Sequence, residues 1–330
     1  MREIIISKNE EGIRLDKYLK KIFTNAPVNL LYKLIRKKYF EINGKKANGD
    51  ETLKSEDKIA IYLSDETYDK FIDKNLTNLK SDKSKLLKGI KDKIIYEDDN
   101  LIIFNKDVGI LSQSNEKNGI SVNSILNDYL GESVDPIYKP SVVNRLDRNT
   151  AGIIIFAKTY MFGRAISSMI KNEEIDKYYV ALVDGIVRKN ELRLIHLLKK
   201  NKTINKVIIK DYNKNEPIPD GYSKVELVYK VIKKYDDKTL LGIKLITGKT
   251  HQIRAQLAYI GFPILGERKY KIKVRTFDER EKKAENKDGY QKLMCYKIKF
   301  HTFENEKLKY LDDRTFEIDI DKIKEMWHIE

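Results

Sequence analysis

The chain has 330 residues, 41% of them apolar and 35% charged, with a formal net charge of +15; it is long enough for a sizeable core and for more than one domain. A positive excess of that size favours a polyanionic partner such as nucleic acid or an anionic membrane surface. A single cysteine excludes an internal disulfide framework and a multi-thiolate zinc site, and no apolar run approaches the roughly 20 residues that span a bilayer, so the expected home is the cytoplasm.

In chain order, a short strand is expected at Glu3 to Ile6. RLDKYLKKIF then places Leu15, Leu19 and Ile22 at helical spacing, flanked by Tyr18 and Phe23. NLLYKLIRKKY repeats the pattern through Leu31, Leu34 and Ile35. Asn29 stands as its N-cap, and Arg36, Lys37 and Lys38 fill the last turn, where cations suit the helix dipole. Phe40 and Ile42, an Asn43–Gly44 turn and alternating Ile59, Ile61 and Leu63 complete a small helix-and-sheet module over residues 1–65. Residues 66–93, rich in Lys, Asp, Ser and Asn, read as a linker holding one short helix.

Residues 94–330 have a different texture. Strands are expected at IIYE, LIIFN, GIIIFA, YYVALVDG, INKVIIK, KVELVYKVI, TLLGIKLI and KLMCYKIKF, and helices at 121–130, 160–171, 251–260 and from Asp321 onward. Many strands with few helices between them point to an α+β fold on a mixed, mainly antiparallel sheet. Cys295, within an alternating strand, reads as a buried free thiol. Neither GxGxxG nor GxxxxGK[ST] occurs, which removes the commonest argument for a dinucleotide or nucleoside triphosphate. The almost wholly charged stretch from Lys271 to Asp288 is expected to form a mobile excursion able to touch a polyanion.

Three segments could build a site. In NRLDRNTAG, an extended Arg145–Leu146–Asp147 turns Leu146 one way and Arg145 and Asp147 the other, and a turn over Asn149 to Gly152 gives the segment a fixed end. Neighbouring guanidinium groups favour an ionised carboxylate, as a nucleophile or an electrostatic anchor requires; a plain ion pair in a loop is the alternative. In DKYYVALVDG, Tyr178 and Tyr179 face opposite ways on a strand, so one enters the core while the other lines a cleft. In TGKTHQIRAQLAYIGFPILGERKY, a helix begins near Thr250 with His251 in its first turn. Arg254 lies one turn on among apolar neighbours. A half-buried arginine needs a carboxylate, and Asp147 is a suitable one. His251 has no companion at metal-ligand spacing, so contact with RNA backbone or support of a neighbouring residue is expected of it instead.

On these residues the sequence resembles the RluA family of pseudouridine synthases, and within it the RluC-like enzymes of large-subunit ribosomal RNA. NRLDRNTAG resembles the family's His-Arg-Leu-Asp-Arg/Lys-x-Thr-Ser-Gly run, with Asn144 in place of His and Ala151 in place of Ser. DKYYVALVDG and TGKTHQIRAQLAYIGFPILGERKY resemble two further blocks, and IIYEDDNLIIFNKDVGIL the entry strands. The segment from Arg14 to Leu63 is similar to an S4-type RNA-binding domain.

The resemblance implies a bent, mainly antiparallel mixed-sheet catalytic domain with a small N-terminal S4-like module. Asp147 would be the catalytic carboxylate, Tyr178 the tyrosine against the target base, and Arg254 the partner of Asp147. Arg145 would help to lift the target from its stack. Arg14, Lys17, Arg36, Lys37 and Lys38 would meet phosphates on the helix pair, positioning RNA without reading much sequence. The family needs no metal or organic cofactor. The implied partner is ribosomal RNA, 23S in particular, with transfer RNA as the alternative, and the expected state is a monomer with no membrane partner. Two other functions compete: a non-catalytic RNA-binding or ribosome-assembly factor, and a hydrolase acting on a glycosidic bond. The hydrolase calls for a second carboxylate near the first, and none stands out in the sequence.

Overall fold

The computed structural model describes every residue except 9, 24, 72–88, 115–119, 132–138, 202, 205, 271–288, 302–305 and 330. Most of the expected linker, and the whole charged stretch from Lys271 to Asp288, lie outside the described residues. The chain forms two compact units, Met1–Ile103 with Gln113–Asn144 and Ile155–Ser168, and Phe104–Ser112 with Arg145–Ile154 and Met169–Glu330.

The first unit opens with β1 (Arg2–Ile5), α1 (Leu15–Ile22), α2 (Val28–Arg36), β2 (Phe40–Ile42), β3 (Lys45–Lys46), β4 (Lys58–Ile61) and α3 (Asp65–Phe71). The strands form a sheet in the order β1-β4-β2-β3. Leu15, Tyr18 and Leu19 on one stripe of α1, and Leu31 and Ile35 on α2, are buried with Phe40, Ile59 and Ile61 of the sheet. The two-residue connection between β2 and β3 needs positive φ at both positions. Asn43 (φ 49°) and Gly44 (φ 77°) supply it, with Ile42 and Lys45 paired across the turn. Helix α2 begins two residues earlier than an Asn29 cap would allow: Pro27 holds the cap position and Val28 is the first helical residue.

Later in the chain, this unit includes β5 (Ile94–Glu97), α4 (Val122–Leu130), β7 (Ser141–Val142) and most of α5 (Tyr160–Lys171). Ser121 caps α4 through a reciprocal pair of bonds with Ser124. Strands β6 (Leu101–Lys106) and β8 (Ala151–Ala157) divide between the units after Ile103 and Ile154.

The second unit holds β9 (Ile175–Asp184), β10 (Glu191–Asn201), β11 (Lys206–Asp211), β12 (Ser223–Lys234), β13 (Lys238–Leu245), α6 (Gln252–Tyr259), β14 (Leu293–Phe300), β15 (Thr315–Glu317) and α7 (Ile320–Trp327). Its strands run β11-β10-β12-β13-β9-β14, every pair antiparallel, with β15 beside β14. The parallel pairing of β14 with the start of β8 makes the sheet mixed, and the fold is α+β.

Register assigns the two faces of this sheet. Val225, Leu198 and Val207 pack with Ala255 of α6 on one face. Val180, Leu182, Leu240 and Met294 pack with Ile323 of α7 elsewhere in the unit. Strand β10 is not among the expected elements, because ELRLIHLLKKN spaces its leucines and isoleucine in a way that suits a helix as well as a strand. Cys295 is free and fully buried, as its alternating segment suggests. Among the described residues, no helix is long and apolar enough to cross a membrane.

Candidate active site

Asp147 sits in a tightly braced loop. Leu146 is anchored from both sides of its peptide: its N–H donates to Ser112 Oγ (2.9 Å), and that hydroxyl donates to the Leu146 carbonyl (2.8 Å). Thr150 N donates to the Asp147 carbonyl (3.0 Å), closing a turn two residues earlier than the sequence suggests. Lys106, fully buried, donates to the carbonyls of Asp107 (2.8 Å), Ile110 (2.9 Å) and Arg148 (3.1 Å). Three carbonyls match the three hydrogens of an ammonium. Burial nevertheless pulls the Lys106 pKa down to about 8, against the raising influence of Asp107 and Asp147. With Leu146 buried and Arg145 exposed, the Asp147 side chain is left 26% exposed.

The arginines beside Asp147 in sequence do not hold its carboxylate. Arg148 turns to the Gly109 carbonyl (3.0 Å), and Arg145 lies exposed. Arg254 holds it instead, donating from Nη1 to Asp147 Oδ2 at 2.8 Å. The rest of the guanidinium is taken by a residue that the sequence does not single out. Glu267 accepts from Nε (2.6 Å) and Nη2 (2.9 Å) of Arg254 with only 1% of its side chain exposed. Burial opposes the charges of both, but their mutual bonds prevail: the Arg254 pKa is raised and the Glu267 pKa is lowered. The fork of Arg254 is therefore fixed, with one nitrogen left for Asp147.

Helix α6 carries Arg254, and the bonds of Gln252 set where it begins. The Gln252 amide accepts from Thr247 Oγ1 (2.9 Å) and Lys249 N (3.1 Å), and donates to the Glu226 carbonyl and Gln256 Oε1 (3.0 Å each). His251 precedes the helix in a left-handed conformation (φ 55°) rather than sitting in its first turn. Its side chain is 8% exposed and its Nε2 lies 3.8 Å from Asp147 Oδ2, a place from which it can support that neighbour. His251 Nδ1 is 2.7 Å from Tyr270 Oη, which also accepts from Val207 N (3.0 Å). A hydroxyl proton directed to Nδ1 leaves the imidazole hydrogen on Nε2, facing Asp147. Burial lowers the His251 pKa, which keeps the ring neutral, and Tyr270 also lies across the Arg254 guanidinium at 5.6 Å. Both protein partners of the Asp147 carboxylate lie on Oδ2, so Oδ1 has no protein donor among the described residues.

The structure does not bring Tyr178 to this group. Tyr178 stands across from Lys244, which pairs with Val228, and so shares the face of Lys224, away from α6. Its hydroxyl donates to Asp176 Oδ2 (3.1 Å), which also meets Lys244 (2.7 Å) and His301 (3.1 Å). Tyr179 pairs through Ile243 to Tyr229 and shares the α6 face with Val225. Tyr179 is 6% exposed, and its hydroxyl is held well above its ordinary pKa by burial first, then by Cys295 and the charge of Asp147. The alternation of the two tyrosines holds, and Tyr179 is the one turned to the α6 face.

The cations expected to meet phosphates lie in the first unit. Lys17, Arg36 and Lys37 are exposed. Arg14 is paired with Asp16 (3.0 Å). Lys38 is half-buried and donates to the Ala47 carbonyl (3.1 Å) and Asn48 Oδ1 (2.5 Å), bracing a loop. Arg36 borders a cleft of about 420 Å³ with Asn29, Tyr32, Ile35 and Asn48. The two departures in NRLDRNTAG are accommodated: Asn144 Oδ1 accepts from Ile155 N (2.7 Å), and Ala151 begins β8.

The sequence pattern of the RNA pseudouridylate synthase family matches residues 100–259, a span that includes Asp147, Tyr179 and Arg254. Ribosomal large subunit pseudouridine synthase C of Buchnera aphidicola subsp. Baizongia pistaciae is 33% identical over 81% of this chain and 80% of that protein. The protein of the same name from Rickettsia felis is 32% identical over 78% of this chain and 81% of that protein. Among solved structures, Human RNA Pseudouridylate Synthase Domain Containing 4 shares the fold, with a TM-score of 0.54 at 16% identity, covering 75% of this chain and 97% of that one.

Proposed function

Because the chain belongs to the RNA pseudouridylate synthase family and is an isomerase of RNA uridine, we propose that Asp147 is its catalytic carboxylate and that its substrate is large-subunit (23S) ribosomal RNA. The observation that carries the first part is the Asp147–Arg254–Glu267 chain: a carboxylate held on one oxygen by a fixed arginine, its other oxygen without a protein donor among the described residues. The second part rests on the two relatives named above, both called ribosomal large subunit pseudouridine synthase C.

The reaction breaks C1′–N1 of a uridine and joins C1′ to C5 of the same ring. C5 loses its proton, N1 gains one, and no atom of the base is lost. The base must first leave its stack, at a cost of a few kcal/mol that is least in loops. In this account Asp147 Oδ1 faces the ribose and drives departure of the uracil, while Oδ2 stays on Arg254. Arg254 cannot swing away, since Glu267 holds its other two nitrogens. Tyr179 offers a neutral phenol and ring to the base, and the neutral His251 supports Oδ2 without competing for Oδ1. Tyr178 has no part in this scheme. Arg145, exposed two residues from Asp147, is the candidate for displacing the target from its stack.

Residues 1–65 are proposed as an S4-like module that meets RNA through Lys17, Arg36 and Lys37, followed by a linker over 66–93 and the catalytic domain over 94–330. The protein is proposed to act in the cytoplasm, as a monomer. Pseudouridine mapping of ribosomal RNA from cells lacking the gene, and from the same cells complemented with wild type or Asp147→Asn, tests the assignment. Sites that vanish with deletion and return only with wild type support it. An unchanged ribosomal map removes the target, and transfer RNA is mapped next.

A further inference from the structure

We propose that the face of β10, β11 and β12 turned away from α6 is a second RNA-contact surface that grips phosphates outside the target nucleotide. The polyanion is taken to be RNA on the strength of the function proposed above.

Alternation fixes which side chains lie there. Leu198, Val207 and Val225 pack toward Ala255 of α6, with Ile209 against the same cluster. Lys199, Lys210 and Lys224, each adjacent in sequence to one of these residues, point the other way. Register agrees, since Leu197 stands across from both Lys210 and Lys224. All three lysines are exposed.

These lysines differ from the other cations of the same face. Farther along β10 and β12, Arg193 is paired with Glu226, and Lys230 with Glu191 at 3.1 Å. Lys199, Lys210 and Lys224 have no carboxylate within ion-pair distance among the described residues; aromatic rings hold them instead. Lys199 and Lys210 lie 5.4 Å and 5.1 Å from the centre of the Tyr222 ring, and Lys224 lies 5.0 Å from that of Tyr212. Lys199 is further placed by a bond to the Asp220 carbonyl (3.2 Å) and by close packing on Gly221, where an added Cβ would come within 3.0 Å of its Cε. The nearby carboxylate of Asp211 is directed to Tyr259 of α6, and that of Glu216 is held by Asn213 (2.7 Å).

Three cations held by ring faces keep their full charge and lose less side-chain freedom on binding than solvated lysines would. The tyrosines also offer flat surfaces beside them. This combination suits a nucleic-acid backbone with unpaired bases, in which lysines meet phosphates and aromatic rings meet bases.

The test uses the full chain and an in vitro transcribed large-subunit ribosomal RNA fragment. Affinity is measured across a KCl series for wild type, for K199Q/K210Q/K224Q, and for K230Q as a same-face control. Each phosphate deprived of its lysine lowers the slope of log affinity against log salt by about 0.7 to 0.9, so the triple variant is expected to lose about 2 to 3 from that slope. K230Q, whose cation is already paired, should leave it unchanged. An unaltered slope in the triple variant, or an equal per-charge reduction in K230Q, overturns the surface. Product formation by wild type is followed on the same RNA. Binding without product would defeat the functional reading, while the slopes, which need binding alone, would still decide the surface.

Discussion

Replacing Arg254 with Leu should damage both stability and catalysis, and the two effects should come apart on a second substitution. The side chains of Arg254 and Glu267 are 9% and 1% exposed, whereas Asp147 is 26% exposed and can recover solvent. The stability cost therefore falls mainly on Glu267, left charged and buried. Removing one partner of such a pair costs roughly 3–5 kcal/mol. Arg254→Leu with Glu267→Leu removes both charges and should bring the loss back to within about 1–2 kcal/mol of wild type, since a buried pair replaced by apolar groups is often close to neutral. Turnover should be lost in both variants, because Asp147 has lost its fixed donor in each. Denaturant unfolding and pseudouridine formation, measured on the two single variants and the double, make the comparison. The gap between wild type and Arg254→Leu should also narrow in acid. In wild type the Glu267 pKa lies below its ordinary value, so the pair's contribution is present above that ordinary value and is lost as pH falls through the lowered one. An Arg254→Leu protein as stable as wild type, a double variant no more stable than the single, or near-normal turnover in either would refute the reasoning.

Other substitutions separate further parts of the account. Tyr179→Phe should lower turnover at least about ten-fold through loss of a hydroxyl in the site, whereas Tyr178→Phe, which breaks contacts with Asp176 and Lys244 away from Asp147, should leave steady-state rates on a stem-loop RNA within about two-fold. Lys106 has a folded pKa of about 8 against an ordinary 10.5, so its stability contribution is fullest above 10.5 and is lost as pH falls through 8. Unfolding free energy of wild type minus that of Lys106→Met should rise by up to about 3 kcal/mol between those limits, and a flat difference would mean that Lys106 is not charged in a dry site. Gly152→Ala should cost at least about 3 kcal/mol in denaturant unfolding, because its φ is +112° and a Cβ would fall 2.1 Å from the Cys295 carbonyl oxygen; a stable variant would require β8 and β14 to separate.

Local pattern carries much of this molecule. The apolar stripe of Leu15, Tyr18 and Leu19 and the strand alternation of Ile59 and Ile61 can be read from a few adjacent residues, and the structure buries all five. The need of Arg254 for a carboxylate is also legible, and the structure joins it to Asp147. Glu267 is not, although it is only 13 residues from Arg254: GERKY reads as an ordinary charged turn, and only the fold brings it under the guanidinium. Tyr178 and Tyr179 are equivalent by composition. Which of them faces α6 depends on register through β13 and β12, which the sequence alone does not fix. The inward placement of His251 is hidden for a similar reason, because it depends on Tyr270, 19 residues away. Lys106 shows no sign of its role, since the carbonyls it binds belong to loop conformations that residue type does not encode.

The central claim is that the carboxylate of Asp147 carries the chemistry. Large-subunit ribosomal RNA labelled with tritium at uridine C5 releases that label to water when C5 becomes bonded to C1′, so one assay follows the step itself. Asp147→Asn preserves the shape of the side chain and should retain folding and RNA affinity. Wild type is expected to give tritium release and pseudouridine, and Asp147→Asn neither. Release by the variant at a rate near that of wild type would contradict it.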